Sequence, residues 1–228
     1  MSLIENEIAK LRARAYQVVQ QLRQQLHLLE EGLANEAWEK LQSLERVRAE
    51  ALEEDMRLDR RCARILALHQ PVANDLRLVL AVMRMHFYVD EIAERLATIG
   101  RRLAIHLPVL PKPERAEVPL LLLVQRVRRL LEACLEAFFR NDTEWSKRID
   151  QEDNAVDEAY EACLARLLQA VQKPLSPEEA AAWIELAIIV KTLEKVADYA
   201  RDIADASIYY AEGVYYWHRF SRRSDAHS

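Results

Sequence analysis

Pairs of acidic residues four positions apart are the part of this sequence that could do chemistry. The pairs of interest are Asp90–Glu94, Asp153–Asp157 and Glu194–Asp198. At 3.6 residues per turn, both carboxylates of a pair project from the same helix face. If the helices that carry the last two pairs are antiparallel neighbours, four carboxylates converge and repel one another unless they are protonated or neutralised. A cation that prefers oxygen ligands (Mg, Mn, Fe, Zn or Ca) would neutralise them.

Spacing alone is weak support for a metal site, because a chain with 37 acidic residues contains many such pairs on solvated helix faces. Two observations favour the metal-binding interpretation. Asp90 and Glu94 occupy the same place in the first half of the chain as Glu194 and Asp198 in the second. The later pair also lies beside an apolar stripe, formed by Leu186, Ile189, Leu193 and Val196, where a merely solvating charge is not expected.

The elements that carry these pairs are expected to be long helices. Apolar residues make up 51% of the 228 residues and recur at helical spacing, and only three glycines and seven prolines interrupt them. Asn35 is predicted to cap the second helix, Pro71 to lie in the first turn of the third, and Ser176 to open the sixth with a capping box. The fourth helix is predicted to run from about Ala116 to Arg140.

The two halves of the chain are internally similar. Asn35–Trp38 has a counterpart in Asp142–Trp145, each at the start of the second helix of its half, and the acidic pairs of the third helices are 104 residues apart. We therefore predict an all-α fold, a tandem repeat of two three-helix bundles with six long helices. The predicted divisions are 1–106 for the first repeat, 107–114 for a proline-rich linker, 115–213 for the second repeat and 214–228 for a C-terminal tail.

Composition also limits the function. A net charge of −5 without a basic block argues against nucleic-acid binding. Three widely spaced cysteines are typical of reduced structural thiols, and the absence of a signal peptide or of a long apolar run predicts a cytoplasmic protein. A di-iron carboxylate oxidase would need glutamate three residues before a histidine, and none of the six histidines has one. His69 and His86 are interpreted as structural, and no nucleophile or phosphate-loop motif is present, so no enzymatic activity is expected.

The stretch Gln70–Val79 (QPVANDLRLV) resembles the signature that opens the third helix in the PhoU family of phosphate-signalling proteins. The acidic pairs occur where that family has its acidic metal-binding motifs, and Ala200–Gly213 is similar to the end of its last helix. The resemblance implies two three-helix bundles, multinuclear iron or zinc clusters, and a homodimer. It also implies negative control of phosphate uptake through contacts with a transporter ATPase and a sensor kinase, so that the protein reaches the membrane only through partners.

The chain departs from this family in its first repeat. Counting back from Pro71 places the second-helix acidic pair of that repeat at Arg48 and Leu52, which cannot bind metal as carboxylates do. We therefore predict a complete metal site at Asp153, Asp157, Glu194 and Asp198, and a degraded one at Asp90 and Glu94. Arg48 is expected to replace the metal there by pairing with Asp90 or Glu94.

Two further features have a structural and a functional interpretation. Asp75 and Arg77 could contact a partner or phosphate, but we favour a helix-start carboxylate and an ion pair with a neighbouring helix. The tail Val214–Arg223 could dock on a partner, but packing of its aromatic residues on its own bundle is the preferred interpretation. The main alternative for the whole chain is a metal-independent helical adaptor of another ion transporter.

Overall fold

The computed structural model describes residues 3–140 and 146–213, and these residues form helices and short connections without any strand. The long helices are α1 (Leu3–Ala34), α2 (Trp38–His69), α3 (Ala73–His106), α5 (Leu120–Arg140), α6 (Ser146–Ala170) and α7 (Pro177–Glu212). A 3₁₀ turn, Leu107–Val109, and the short helix α4 (Lys112–Glu117) connect α3 to α5. The predicted all-α architecture with six long helices is confirmed within the described ranges.

The helices form two three-helix units that pack against each other. Helices α1, α2 and α3 pack together in one unit, and α5, α6 and α7 in the other. The units meet where α3 packs along α7 and α1 contacts α5. A single cluster of buried apolar side chains runs through both units, from Leu11 and Leu44 in the first to Leu131 and Val190 in the second. The core therefore holds the acidic faces of both units in one fixed arrangement.

Gly100 of α3 allows α2 to approach closely. A Cβ atom at this position would lie 2.4 Å from Leu44 Cδ1 and 2.5 Å from the carbonyl oxygen of Leu41. Only a glycine fits this spacing without displacing backbone. Gly100 lies near the end of α3, and Leu41 and Leu44 lie near the start of α2. Their close contact fixes the alignment of the two helices that carry the first acidic site.

Several predicted helix ends differ from the structure. Asn35 does not cap α2; Ala37 occupies the N-cap, and the Asn35 side chain donates a hydrogen bond to the Glu31 carbonyl oxygen at the end of α1. Pro71 precedes α3, whose N-cap is the extended Val72. The predicted fourth helix is interrupted at Pro119, because proline disfavours helical geometry in the residue before it.

The start and end of α7 agree with the sequence. Ser176 and Glu179 form the predicted capping box, with Pro177 in the first helical position. The helix ends at Gly213 in the left-handed conformation that glycine adopts at no steric cost. Residues 142–145, predicted to lie at the start of the fifth helix with Asp142 or Thr143 as its cap, and the tail from residue 214 lie outside the described residues.

Candidate functional site

The four carboxylates predicted to form the complete metal site lie on two helices that pack against each other. Asp153 and Asp157 lie on α6, and Glu194 and Asp198 lie on α7. Burial and the neighbouring negative charges raise the pKa of Asp153 to about 6, although the Arg201 charge opposes the shift. Burial, together with the charges of Glu194 and Asp198, also raises the pKa of Asp157. The fold therefore gathers negative charge at this helix pair at an electrostatic cost.

Basic side chains neutralise most of this charge. Three of the four carboxylates have a cationic partner within 3.0 Å, in the pairs Arg201–Asp153, Lys191–Glu194 and Lys195–Asp198. In this arrangement, no three metal-binding side chains among the described residues come close enough together to hold an ion. A metal at this position would have to replace the Arg201 charge, and the predicted site stays a prediction.

The corresponding acidic face of the first unit is organised around Arg48 of α2. Its guanidinium donates to Asp55 Oδ2 at 2.7 Å, to Asp90 Oδ1, and, over a longer distance of 3.4 Å, to Glu94 Oε2. Arg48 therefore pairs with both Asp90 and Glu94, as predicted. The contact with Asp55 was not predicted. It could have been found, because Asp55 follows Arg48 by seven residues and so lies two turns along the same helix face.

His86 of α3 extends this network. Its Nδ1 lies 2.9 Å from Asp59 Oδ1 and its Nε2 lies 3.3 Å from Asp55 Oδ1. Burial disfavours the charged imidazolium, but the two carboxylates outweigh it and raise the pKa of His86. Burial also acts against ionisation of Asp55, yet hydrogen bonds from His86 and Arg48 lower its pKa. Both ring nitrogens of His86 have carboxylate partners, in agreement with its structural interpretation.

In each unit an arginine pairs with carboxylates between the second and third helices, but the arginine lies on a different one of the two helices in each unit. In the first unit Arg48 lies on the second helix and reaches the acids of the third. In the second unit Arg201 lies on the third helix and reaches Asp153 on the second. Arg201 was missed by the sequence reasoning, although it follows Asp198 by three residues and so lies near the same face of α7.

Asp75 and Arg77 lie apart from both acidic faces, near the start of α3. The Asp75 backbone N–H donates to the Val72 carbonyl oxygen at 3.2 Å, as in a helix first turn. Arg77 donates to Asn74 and lies against Gly213, where an added Cβ would be 2.7 Å from its Nη1. The predicted ion pair with a neighbouring helix is absent for Arg77 among the described residues. Its charge instead lies at the C-terminal end of α7, where the helix dipole favours a cation.

Known proteins similar to this chain share its fold and parts of its sequence. The PhoU domain family matches residues 120–207. The phosphate-specific transport system accessory protein PhoU homolog of Pseudomonas aeruginosa is 29% identical over 157 residues, which cover 69% of this chain and 64% of that protein. The PhoU protein of Escherichia coli is 26% identical over 168 residues, which cover 72% and 66%. The matched region therefore spans slightly less than two thirds of the length of these relatives.

Two crystal structures match almost the whole chain. PhoU from Pseudomonas aeruginosa superposes with a TM-score of 0.78 at 22% identity, covering 92% of this chain and 99% of that one. PhoU from Streptococcus pneumoniae gives a TM-score of 0.79 at 21% identity, covering 93% and 98%. At these identities the structural comparison establishes the fold alone. This chain is therefore similar to PhoU proteins in fold over nearly its whole length, and its second unit also matches the PhoU domain in sequence.

Proposed function

We propose that this protein is an accessory regulator of phosphate transport that lowers phosphate uptake or phosphate-responsive signalling. Its relatives are named as accessory proteins of a phosphate-specific transport system, and this naming is the observation that carries the proposal. It would act by binding the transporter ATPase and a sensor kinase, as a homodimer without a catalytic step. No described helix is both long enough and apolar enough to cross a bilayer, which is compatible with attachment through such partners.

We further propose that the acidic pairs of the second unit bind a metal ion. The donor set, Asp153, Asp157, Glu194 and Asp198, contains only carboxylate oxygens, which suit iron, manganese, magnesium or calcium and are also found on zinc. Burial first, and neighbouring carboxylates second, raise the pKa values of both α6 aspartates, and these shifts support the proposal because a bound cation would stabilise the ionised form of each group. The metal would supply fixed positive charge to the surface that a partner contacts.

A specific observation favours the alternative, a metal-independent adaptor of an ion transporter. Arg201, Lys191 and Lys195 already neutralise three of the four carboxylates. With these cations in place, only one of the four negative charges is left for a metal to balance. The two proposals differ in metal content and not in fold.

Elemental analysis of protein purified without chelator distinguishes them. The metalloprotein predicts stoichiometric metal in the wild type and in a D90N/E94Q variant, and loss of metal in the matched E194Q/D198N variant. Absence of metal from the wild type would support the metal-independent adaptor and contradict the metalloprotein. Equal metal loss in both variants would contradict the assignment of the complete site to the second unit.

The regulatory role is tested by deleting the gene and measuring phosphate uptake. We expect uptake to rise in the deletion strain and the wild-type chain to co-purify with the transporter ATPase. If uptake is unchanged and the ATPase does not co-purify, the role in phosphate transport is refuted, whatever the metal content.

A further inference from the structure

A cleft between α1 and α2 is lined by arginines alone. The lining residues are Arg14, Arg57, Arg60, Arg61 and Arg64, and the cleft has a volume of about 190 Å³. Four of them fall within eight consecutive residues of α2. This concentration of positive charge occurs in a chain whose net charge is −5. Since like charges repel at close range, the cleft needs negative charge from elsewhere.

Carboxylates of the protein supply only part of that charge. Arg14 lies 2.6 Å from Glu54, Arg57 pairs with Glu53 and Glu54, and Arg61 lies 2.9 Å from Glu7. Arg14 and Arg61 thereby join α1 to α2, which gives these two residues a structural role. Three of the five arginines thus form ion pairs with Glu7, Glu53 and Glu54, and the other two form no ion pair with a described residue.

The two arginines without an ion pair are Arg60 and Arg64. Both are exposed, and neither has a hydrogen bond, ion pair or ring contact in the part of the chain that the structure describes. Arg64 helps Lys10 and Arg61 to lower the pKa of Glu7, but only through its charge and not through a direct contact. Arg60 and Arg64 are four residues apart on α2, so their side chains leave the helix from the same face, about 6 Å apart along its axis. Their N–H donors are available to a ligand, because neither guanidinium donates to a described residue.

The residue type and the lining limit the kind of ligand. The planar guanidinium fork matches phosphate and carboxylate oxygens in a two-point geometry that lysine does not offer. The cleft has no apolar lining residue that could hold a hydrophobic side chain of a peptide. A ligand recognised here should therefore present mainly anionic oxygens. A phosphoryl group carries several of them on one atom, so a phosphoryl-bearing anion can contact both arginines within a small volume.

We propose that this arginine cleft is a binding site for a compact multivalent anion that carries phosphoryl groups. Arg60 and Arg64 are the ligating residues. This site is separate from the acidic faces on α3, α6 and α7. Binding of such an anion would give the protein a second ligand, in addition to the metal proposed above.

Calorimetric titration of the full chain with tripolyphosphate tests the proposal. The R60Q/R64Q variant removes both ligating charges, and R126Q/R129Q is the matched control on α5, because Arg126 and Arg129 also have no contact among the described residues. We expect the wild type and control to bind with similar affinity, and R60Q/R64Q to bind at least about tenfold more weakly. Binding should also weaken as salt is added. Thermal melting of the variants shows whether each is folded.

The phosphoryl groups could belong to a soluble anion or to a lipid headgroup, and a second measurement separates these sources. Co-sedimentation with vesicles rich in anionic phospholipid, against uncharged vesicles, is compared for the same three proteins. Binding of tripolyphosphate that depends on Arg60 and Arg64 supports a soluble ligand, and vesicle binding alone with the same dependence supports a headgroup. If the wild type binds neither probe, or if both variants lose binding equally, the proposal is overturned.

Discussion

Replacing Arg48 with methionine should destabilise the protein far more than replacing Arg46, an exposed arginine two residues earlier on the same helix. Methionine keeps most of the length of the side chain but removes the charge that Asp55, Asp90 and Glu94 share. The Arg48 side chain is only 8% exposed and that of Asp55 10%, so their ion pair is shielded from water. Removing one partner of a buried pair leaves the other charge without compensation, which costs about 3–5 kcal/mol.

Two features of the site adjust this estimate. The Asp90 and Glu94 side chains are 40% and 65% exposed, so their pairs with Arg48 add at most a few tenths of a kcal/mol, about what surface pairs contribute. Asp55 keeps its contact with His86, which compensates part of its charge. We therefore expect a loss of about 2–4 kcal/mol in the free energy of unfolding at neutral pH.

Urea denaturation followed by circular dichroism measures this loss. Arg46→Met is the matched control, because Arg46 forms an exposed pair with Glu50 on the same helix and should lose no more than about 0.5 kcal/mol. The lowered pKa of Asp55 adds a second criterion. Stability from a carboxylate with a lowered pKa is present above its unfolded pKa and is lost as the pH falls through the folded value, so the gap between Arg48→Met and wild type should narrow in acid. An Arg48→Met variant as stable as the Arg46 control would refute the reasoning.

Two other predictions concern the α2–α3 pair. Because the pKa of His86 is raised, the stability that this residue contributes is complete below its unfolded pKa, about 6.5, and is lost as the pH rises through the higher folded value. Urea unfolding at several pH values should show this pH-dependent component in the wild type and not in His86→Gln. Identical pH profiles for the two proteins would contradict the prediction. Gly100→Ala places a Cβ 2.5 Å from the Leu41 carbonyl oxygen, which belongs to helix backbone and cannot rotate away, so thermal melting should show a loss of about 1–3 kcal/mol. An unchanged melting temperature would show that the helices can separate at no cost.

The fold could be predicted from the sequence because its signals are local and repeated. Helical periodicity, few glycines and prolines, and the capping box at Ser176 each identify a helix without knowledge of its neighbours. The errors fall at helix ends, where one side chain has more than one available partner. Asn35 is a residue type that often caps a helix start, but here it directly follows the last residue of α1, Ala34, and its amide donates to the Glu31 carbonyl oxygen four residues earlier.

The candidate site could be predicted in its acidic residues and in Arg48. Spacing shows that Glu194 and Asp198 share a face, and the equivalent positions show that Arg48 stands where the second repeat has an aspartate. The contact between Arg201 and Asp153 depends on tertiary packing, since the two residues lie on different helices. The arginine cleft was missed for the same reason. Its residues on α2 are visible as a cluster, but Arg14 joins them only when α1 packs alongside.

Arg48 and Arg201 differ in exposure, and this difference predicts which unit should bind a metal ion. The Arg48 side chain is 8% exposed and is held by three carboxylates, so displacing it would take the arginine partner from the buried Asp55 as well as from Asp90 and Glu94. The Arg201 side chain is 23% exposed and pairs with Asp153 at 3.0 Å. A more exposed cation can move into water at lower cost, because its charge is then solvated. A metal that competes with protein cations should therefore exchange at the second unit, while the first keeps a fixed charge whether or not metal is supplied.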